Sequence, residues 1–246
     1  HSIKYLYVIA PNKQTIYPEH MPYYINKIED KTQLDHLLAY LDGEFADEIL
    51  DLRTPLLEAR KKEQLYYRCD THWNQKGAYI AYKNILDRIS TWFPNEKTLA
   101  PAPINEKKKI YKGLDLANML GLPKSYQETA PLVTLKDECS RLQEDIDLPQ
   151  IGLIENVMPF ARKCSKAKLR AVVFRDSFFV SIVPYFSENF KQVVHVWHPH
   201  DQGTMEQLVE QIKPDIVIEE AGEGFLFAQY KLKFCKSLLG KDRVEE

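Results

Sequence analysis

The chain has 246 residues, with 33 basic and 35 acidic side chains and a formal net charge of -2. Because proteins that bind nucleic acids broadly carry a basic excess, this balance predicts no nucleic-acid partner. Hydrophobic residues make up 44% and charged residues 28%, which argues against a disordered chain and predicts a single domain over residues 1–246.

The predicted elements alternate between strand and helix along most of the chain. This alternation favours a three-layer α/β/α fold, in which helices cover both faces of a mostly parallel central sheet. Thr54 and Asn74 are typical helix caps. In chain order we expect a strand over 3–10, an amphipathic helix over 30–46, a strand over 48–53, a helix from Thr54, a strand over 64–68, a helix from Asn74, strands over 169–174 and 193–197, a helix over 205–212 and a strand over 215–219.

Residues 94–168 interrupt this alternation with prolines and lysines. We predict that they form a long surface insertion with short helices rather than a separate domain. The lysine run over 107–109 could attract an anionic polymer, although an ordinary solvated surface explains it more simply.

The cysteines lie too far apart in sequence to form a zinc site, and no metal is expected. Free thiols and one disulfide are both compatible with their number. Cys139–Cys164 is the favoured pair among Cys69, Cys139, Cys164 and Cys235.

The first candidate site is the pair Asp70 and His72, which lies between an expected strand and the helix that Asn74 caps. Residues i and i+2 of extended backbone point the same way, so the carboxylate could fix one imidazole tautomer. His72 would then be prepared as a general base. A surface turn is the ordinary alternative.

The second candidate is Ser177, which follows the hydrophobic strand over 169–174. Sites in parallel α/β sheets are built at the carboxyl ends of strands, where a serine hydroxyl can be presented above the sheet. A helix cap is the ordinary alternative. Together, the two candidates predict a nucleophile and its base at one edge of the sheet.

Several segments resemble, in the expected order, the SGNH-hydrolase-like domain of the alginate O-acetyltransferase family of the AlgX/AlgJ type. By position, Ser177 matches the family nucleophile, His72 its base and Asp70 the acid that orients the base. The resemblance implies a bacterial envelope protein that moves an acetyl group onto a polysaccharide hydroxyl. The segments are 9–18, 70–79, 115–122, 174–178 and 213–220.

The strand order differs from that of ordinary SGNH enzymes, which place the nucleophile first and the Asp/His motif last. Here Asp70 and His72 precede Ser177. The strand over 215–219 resembles the one that follows the nucleophile, and the strand over 3–10 resembles the next one. We therefore expect a circularly permuted sheet with an unchanged active edge.

The resemblance leaves the oxyanion site incomplete. The loop over 221–224 lacks the asparagine that ordinary SGNH enzymes use as a donor, and Arg175 replaces their glycine before Asp-Ser. Loss of such a donor costs roughly 10²–10³ in rate. Asn12 is our candidate replacement, beside the backbone N–H of Ser177, although Asn12 could equally be a turn residue.

Aromatic residues flank the Asp70–His72 pair. Tyr67 and Trp73 could stack on sugar rings or pack in the core, and together with Asn12 and Arg175 they complete the predicted substrate-binding residues. A histidine tract follows the strand over 193–197 and has the composition of some metal sites, but a solvated loop explains it better. The tract comprises His195, His198, His200 and Asp201.

Three functions remain open. The first is a polysaccharide O-acetyltransferase that forms an acetyl-serine intermediate, needs no cofactor and takes an acetyl donor and a polysaccharide such as alginate, with other modification or export proteins as possible partners. The second is a carbohydrate acetylesterase with the same residues. The third is a non-catalytic polysaccharide-binding component of an export assembly.

The expected location is the bacterial cell envelope, either periplasmic or extracellular. No apolar stretch approaches the roughly 20 residues that span a bilayer. The chain begins with His1 rather than Met. We therefore expect that a leader or anchor has been removed.

Overall fold

A seven-stranded sheet forms the centre of the computed structural model, which describes residues 2–149, 158–198 and 201–226. Its strands are β1 (Lys4–Ala10), β2 (Ile49–Asp51), β5 (Arg141–Gln143), β6 (Phe160–Lys163), β7 (Arg170–Phe174), β8 (Gln192–Val196) and β9 (Ile216–Gly222). Their order across the sheet is β2-β1-β9-β7-β8-β6-β5. The five neighbours β2, β1, β9, β7 and β8 pair in parallel. Beyond β8, the strands β6 and β5 extend the sheet in antiparallel fashion.

The parallel strands have the permuted order that the sequence predicts. Read as β7, β8, β9, β1 and β2, they give the doubly wound order 2-1-3-4-5, which begins at the strand before Ser177. The order reverses between β7 and β9, and the crevice at such a reversal is where α/β sheets bind ligands.

Burial on both faces explains why the central strands read as continuous hydrophobic runs. Every residue of β9 is buried, and so is β7 from Ala171 to Phe174. Strands covered on one face only would alternate between apolar and polar residues.

Helices cover both faces of the sheet, as predicted. The helices are α1 (Lys13–Ile16), α2 (Gln33–Leu41), α3 (Arg53–Ala59), α4 (Gln75–Trp92), α5 (Asp115–Met119), α6 (Val183–Phe186) and α7 (Gln202–Ile212). On one face, α3 and α4 pack with α6 against alternate residues such as Val8, Val173 and Ile218. On the other face, α7 packs on Val172 and Phe174, while α2 packs on Ile9.

Two local predictions are wrong. Residues 64–68 form no strand of the sheet, because the chain turns back on itself and Tyr66 pairs with Trp73 in an isolated bridge. The helix expected to follow the Thr54 cap begins two residues earlier, with Leu52 at the N-cap and Arg53 as its first residue, because the Asp51 carboxylate accepts the Arg53 N–H.

The described residues of the segment over 94–168 form one short α-helix, α5, but most of their regular structure is strand, contrary to expectation. Its strands β3 (Ile104–Lys112) and β4 (Gln127–Leu135) form an antiparallel hairpin. The hairpin packs through Val133 on the core, where the Tyr185 hydroxyl donates to the Val133 carbonyl oxygen over 3.0 Å. The end of the segment supplies β5 and β6 to the main sheet.

A disulfide joins Cys139 and Cys164, which is the pair favoured from the sequence. Cys69 has a free thiol, and Cys235 lies outside the described residues. Within the ranges that the structure describes, no helix has the length and apolar character needed to cross a bilayer.

Candidate active site

Ser177 stands on a tight turn at the carboxyl end of β7, where a short 3₁₀ helix over Phe178–Ser181 begins. The Asp176 carboxylate shapes this turn. One oxygen accepts the Phe178 N–H over 2.8 Å, and the other accepts the Gly222 N–H over 2.7 Å. The end of β9 therefore holds the turn that presents Ser177 at the crevice.

Asp70 and His72 meet in a turn rather than on an extended strand. Asp70 Oδ1 accepts the backbone N–H of His72 over 3.0 Å and lies 2.7 Å from its ring Nδ1. The contact that the sequence predicts is present, but the turn produces it because one carboxylate oxygen binds both groups.

The ring of His72 bridges Asp70 and Ser177. Its Nε2 lies 2.7 Å from Ser177 Oγ, on the opposite side of the ring from Asp70. When Nδ1 donates to the carboxylate, Nε2 is left as an acceptor for the serine hydroxyl. The side chains of His72 and Asp70 are 28% and 13% exposed, so a small molecule can reach the ring while Asp70 lies mostly behind it.

The ionisation of the pair follows from this geometry. Burial alone would lower the pKa of His72, but the hydrogen bond and charge of Asp70, with Asp115 and Asp176, raise it above 6.5. Burial alone would raise the pKa of Asp70, but hydrogen bonds from His72 hold it below its usual range. The carboxylate is therefore ionised when the imidazole accepts a proton.

Charged side chains from other elements hold the turn over 68–72. Glu128 of β4 accepts the N–H groups of Arg68 and Cys69, each over 2.8 Å. Lys13 of α1 donates to the carbonyl oxygens of Arg68 and Asp70 over 2.9 and 3.0 Å. Burial lowers the pKa of Lys13, although neighbouring carboxylates oppose this effect.

Asp115 of α5, to which no sequence pattern gave a role, completes this support. Its carboxylate accepts the Thr71 N–H over 2.8 Å and also the Thr71 hydroxyl. One side-chain oxygen or nitrogen from each of Asp70, His72 and Asp115 lies within 4.8 Å of the others, a spacing that a metal ion could bridge. The atoms of Asp70 and His72 are instead hydrogen-bonded to each other.

Asn12 lies at the end of β1, two strand positions from β7, with β9 between. Its backbone N–H donates to Glu223 over 3.0 Å. Its amide Nδ2 lies 3.3 Å from the position that a Cβ on Gly224 would take. The side chain of Asn12 therefore lies against the loop that follows β9.

Arg175 is buried, and its guanidinium lies 4.8 Å from the centre of the Trp197 ring and 5.8 Å from that of Phe160. It also donates to the Asp176 carbonyl oxygen over 3.2 Å. These contacts hold the Arg175 side chain against β6 and the end of β8.

Trp73 is 1% exposed, and its indole N–H donates to the Phe178 carbonyl oxygen over 3.0 Å. Its ring offers no free face to a sugar, so core packing is the correct alternative. Tyr67 is 8% exposed and packs edge-on against Tyr111, with ring centres 5.0 Å apart.

Two described residues of the histidine tract, His195 and Asp201, belong to different elements. His195 is buried in β8, where its Nε2 lies 3.2 Å from the Ser187 hydroxyl. Asp201 caps α7 by accepting the Thr204 N–H over 3.0 Å. His200 lies outside the described residues.

A cleft of about 810 Å³ adjoins the turn that carries Asp70. Three residues of the cleft lining connect the cleft to this turn. Arg68 belongs to the turn, Lys13 donates to its carbonyl oxygens, and the Tyr67 N–H donates to the His72 carbonyl oxygen. Most ionisable groups of the lining are basic. The lining consists of Lys13, Tyr17, His20, Arg60, Lys61, Lys62, Glu63, Gln64, Tyr66, Tyr67 and Arg68.

Comparison with known families gives a match over residues 1–154 to the model described as the SGNH hydrolase-like domain of acetyltransferase AlgX. The matched segment includes Asp70 and His72 and ends before Ser177. A curated relative, the probable alginate O-acetylase AlgJ of Pseudomonas fluorescens, is 32% identical over 136 residues. This alignment covers 52% of the chain and 33% of the relative, so the chain spans about a third of that relative's length.

Two solved structures share the fold. PatB1 of Bacillus cereus superposes with a TM-score of 0.63 at 17% identity, over 91% of this chain and 84% of that one. The O-acetyltransferase domain of AlgJ from Pseudomonas putida gives 0.55 at 16% identity, over 96% of this chain and 83% of that one.

Proposed function

We propose that this chain, which belongs to the family of SGNH hydrolase-like domains of the acetyltransferase AlgX, transfers acetyl groups to hydroxyl groups of a polysaccharide. The observation that carries the proposal is the position of the His72 ring, with Nε2 2.7 Å from Ser177 Oγ and Nδ1 2.7 Å from Asp70. Serine-dependent acyl transfer requires a hydroxyl, a base within hydrogen-bond reach and a group that orients the base.

In the first half-reaction, Ser177 Oγ attacks the carbonyl carbon of an acetyl ester while His72 Nε2 takes the hydroxyl proton. The tetrahedral intermediate collapses by breaking the bond to the donor's alcohol oxygen, which receives that proton from His72. The product is acetyl-Ser177. Asp70 stays ionised and stabilises the imidazolium between the two proton transfers.

In the second half-reaction, a sugar hydroxyl attacks the acetyl carbon and gives its proton to His72. Collapse of this second intermediate forms the ester of the sugar and breaks the bond to Ser177 Oγ, which takes the proton back. The enzyme returns to its starting state, so donor and acceptor react in turn. An esterase would use the same steps with water as the acceptor.

The developing oxyanion needs hydrogen-bond donors. The Gly222 N–H is engaged with Asp176 and is therefore not available. The backbone N–H of Ser177 has no acceptor among the described residues, and we assign it as one donor. We retain Asn12 as the second, because its amide lies against the loop that ends β9.

The basic cleft supports a polysaccharide acceptor that carries carboxylates. Lys62 and Arg68 are exposed in it, while Arg60 stacks on Tyr17 with 4.7 Å between guanidinium and ring centre. Basic and aromatic side chains together suit an acidic sugar chain, through charge and ring contacts. A uronic-acid polymer such as alginate fits this description.

The proposed location is the bacterial cell envelope. Disulfides persist in oxidising compartments such as the periplasm and the extracellular space, and the Cys139–Cys164 bond suits them. An acetyl donor and other proteins of polysaccharide modification or export are the partners that this function requires.

The test incubates the protein with 4-nitrophenyl acetate as donor and deacetylated alginate as acceptor. Ester formed on the polymer is measured by NMR, and acetyl-enzyme by mass spectrometry. We expect labelled polymer and an acetyl group on Ser177, both lost in Ser177→Ala and retained in the surface control Ser165→Ala. Acetate release with no labelled polymer would indicate the esterase. Full transfer by Ser177→Ala would refute the assignment of the nucleophile.

A further inference from the structure

A second carboxylate lies beside His72. Asp115 Oδ2 is 3.6 Å from His72 Nδ1, the ring nitrogen that faces Asp70. Asp115 is the first residue of α5, in the segment over 94–168. It lies far in sequence from both Asp70 and Ser177. Its side chain is 26% exposed, so its charge is only partly screened by solvent.

The same carboxylate fixes the residue between Asp70 and His72. Asp115 accepts both the N–H and the hydroxyl of Thr71. The Thr71 hydroxyl oxygen lies 3.3 Å from His72 Nδ1, so it contacts both the second carboxylate and the ring. The backbone N–H of Asp115 in turn reaches Asp70 Oδ2 over 3.4 Å. Asp115 thus contacts every residue of the Asp70–Thr71–His72 turn.

We infer that Asp115 is a positioning residue for the proposed transfer. It orients His72 through Thr71 and, together with Asp70, stabilises the positive charge of the imidazolium. The inference rests on the proposed function. It gives this site two carboxylates on one ring nitrogen, supplied by separate elements. Loss of Asp115 then weakens the transition state even when Asp70 is intact.

The charges around His72 fix the direction of the effect. The ring is faced by Asp70 from its own turn, by Asp115 from α5 and by Asp176 from the turn after β7, and all three raise its pKa against the opposing effect of burial. Lys13 is the nearby cation, and it interacts with Asp70, Asp115, Glu128 and Cys69. Removing the charge of Asp115 should therefore lower the pKa of His72.

A purely structural role would give a different result. Glu128 provides the comparison, because it holds the N–H groups of Arg68 and Cys69 but does not face the ring. Glu128→Gln weakens the same turn without removing a charge that acts on His72. If Asp115 only fixes the backbone, then Asp115→Asn and Glu128→Gln should leave the titration of His72 alike.

The experiment titrates His72 by NMR in the full chain, with His72→Gln to assign its signal among the seven histidines, and records kcat/KM against pH with the acetyl ester. We expect His72 to titrate at lower pH in Asp115→Asn than in the wild type. The variant should also lose about tenfold in kcat/KM at high pH, which corresponds to about 1.4 kcal/mol. Glu128→Gln should keep the wild-type titration midpoint.

An unchanged midpoint in Asp115→Asn would overturn the inference. The variants Asp115→Glu and Asp115→Gln differ in charge but not in length, and they keep the test available if Asp115→Asn does not fold. His72 must then have the higher titration midpoint in Asp115→Glu. Absence of acetyl transfer by the wild type would refute the proposed function alone, because the NMR titration still reports whether Asp115 acts on His72.

Discussion

The backbone N–H of Gly222 donates to Asp176 Oδ2 over 2.7 Å, which ties the end of β9 to the residue before Ser177. A Cβ at Gly222 would lie 3.2 Å from that oxygen and 3.3 Å from the Phe178 ring. The loop that lacks an asparagine donor is therefore used to hold the serine turn, and a side chain at Gly222 would press on that turn.

Gly222→Ala should reduce activity far more than stability. The added methyl requires Asp176 or Phe178, the two neighbours of Ser177, to shift by a few tenths of an ångström. Because misplacement of reacting groups by about 1 Å can cost on the order of 10² in rate, a smaller shift should still lower the rate. We expect at least a tenfold loss of kcat for the acetyl ester, with far-UV circular dichroism unchanged. Gly203→Ala is the control, since its Cβ would meet only Asp201, at 3.7 Å. Equal activity of the two variants would contradict this account.

Asp70→Asn should change both the rate and its pH dependence. His72 must be neutral to accept the serine proton, so activity falls as pH drops through its raised pKa. The asparagine removes the charge that raises this pKa, so the acidic limb of kcat/KM moves to lower pH, while the maximum falls by about 10³–10⁴. If the acidic limb of kcat/KM lies at the same pH in Asp70→Asn and the wild type, then Asp70 does not act on His72.

The same pair links pH to stability. Because folding raises the pKa of His72, its contribution is complete below the unfolded pKa and is lost as pH rises through the folded one. Because folding lowers the pKa of Asp70, its contribution is present above the unfolded pKa and is lost as pH falls through the folded one. Chemical denaturation of the wild type and Asp70→Asn at several pH values measures the difference.

Gly77→Ala should destabilise the fold although alanine favours helices. Gly77 lies in the first turn of α4, and an added Cβ would collide with the Leu65 carbonyl oxygen and lie 2.9 Å from Trp73 Cβ. Overpacking of this kind costs about 1–3 kcal/mol, more than the roughly 1 kcal/mol that alanine gains over glycine in a helix. Urea denaturation should show the loss, and Gly203→Ala in α7 should show none.

Reduction of the disulfide should destabilise the fold by about 3 kcal/mol, because Cys139 and Cys164 close a loop with a sequence separation of 25. The double variant Cys139→Ser with Cys164→Ser should unfold at the denaturant concentration of the reduced wild type. The free thiol of Cys69 supplies the control, since Cys69→Ser should keep the response to reductant. A wild type insensitive to reductant would contradict the prediction.

The sequence predicts the parallel part of the fold and the central contact of the site. Strands such as β7 and β9 are recognisable because burial on both faces demands continuous hydrophobic runs. Ser177 and the Asp70–His72 pair stand out because each follows an element boundary. Residues 64–68 have the composition of a strand, and only tertiary contacts such as Asn74 N–H to Leu65 oxygen turn them back.

The support of the turn could not be predicted from spacing. Asp115 and Glu128 reach it from α5 and β4, and their partners are mainly backbone groups, which leave no pattern in a sequence. Asp115 lies in one of the segments that resemble the family, which was the only signal, and a resemblance over 115–122 does not say which side chain matters.

The permuted strand order has a consequence for biosynthesis. β1 pairs with β2 and β9, so the strand that joins the amino-terminal part of the sheet to β7 comes last among the strands that the structure describes. His72 and Ser177 are 105 positions apart, so a ribosome makes the proposed base well before the proposed nucleophile, and both before the strand that brings them together. We therefore expect the proposed acyl transfer to begin only after β9 has been translated.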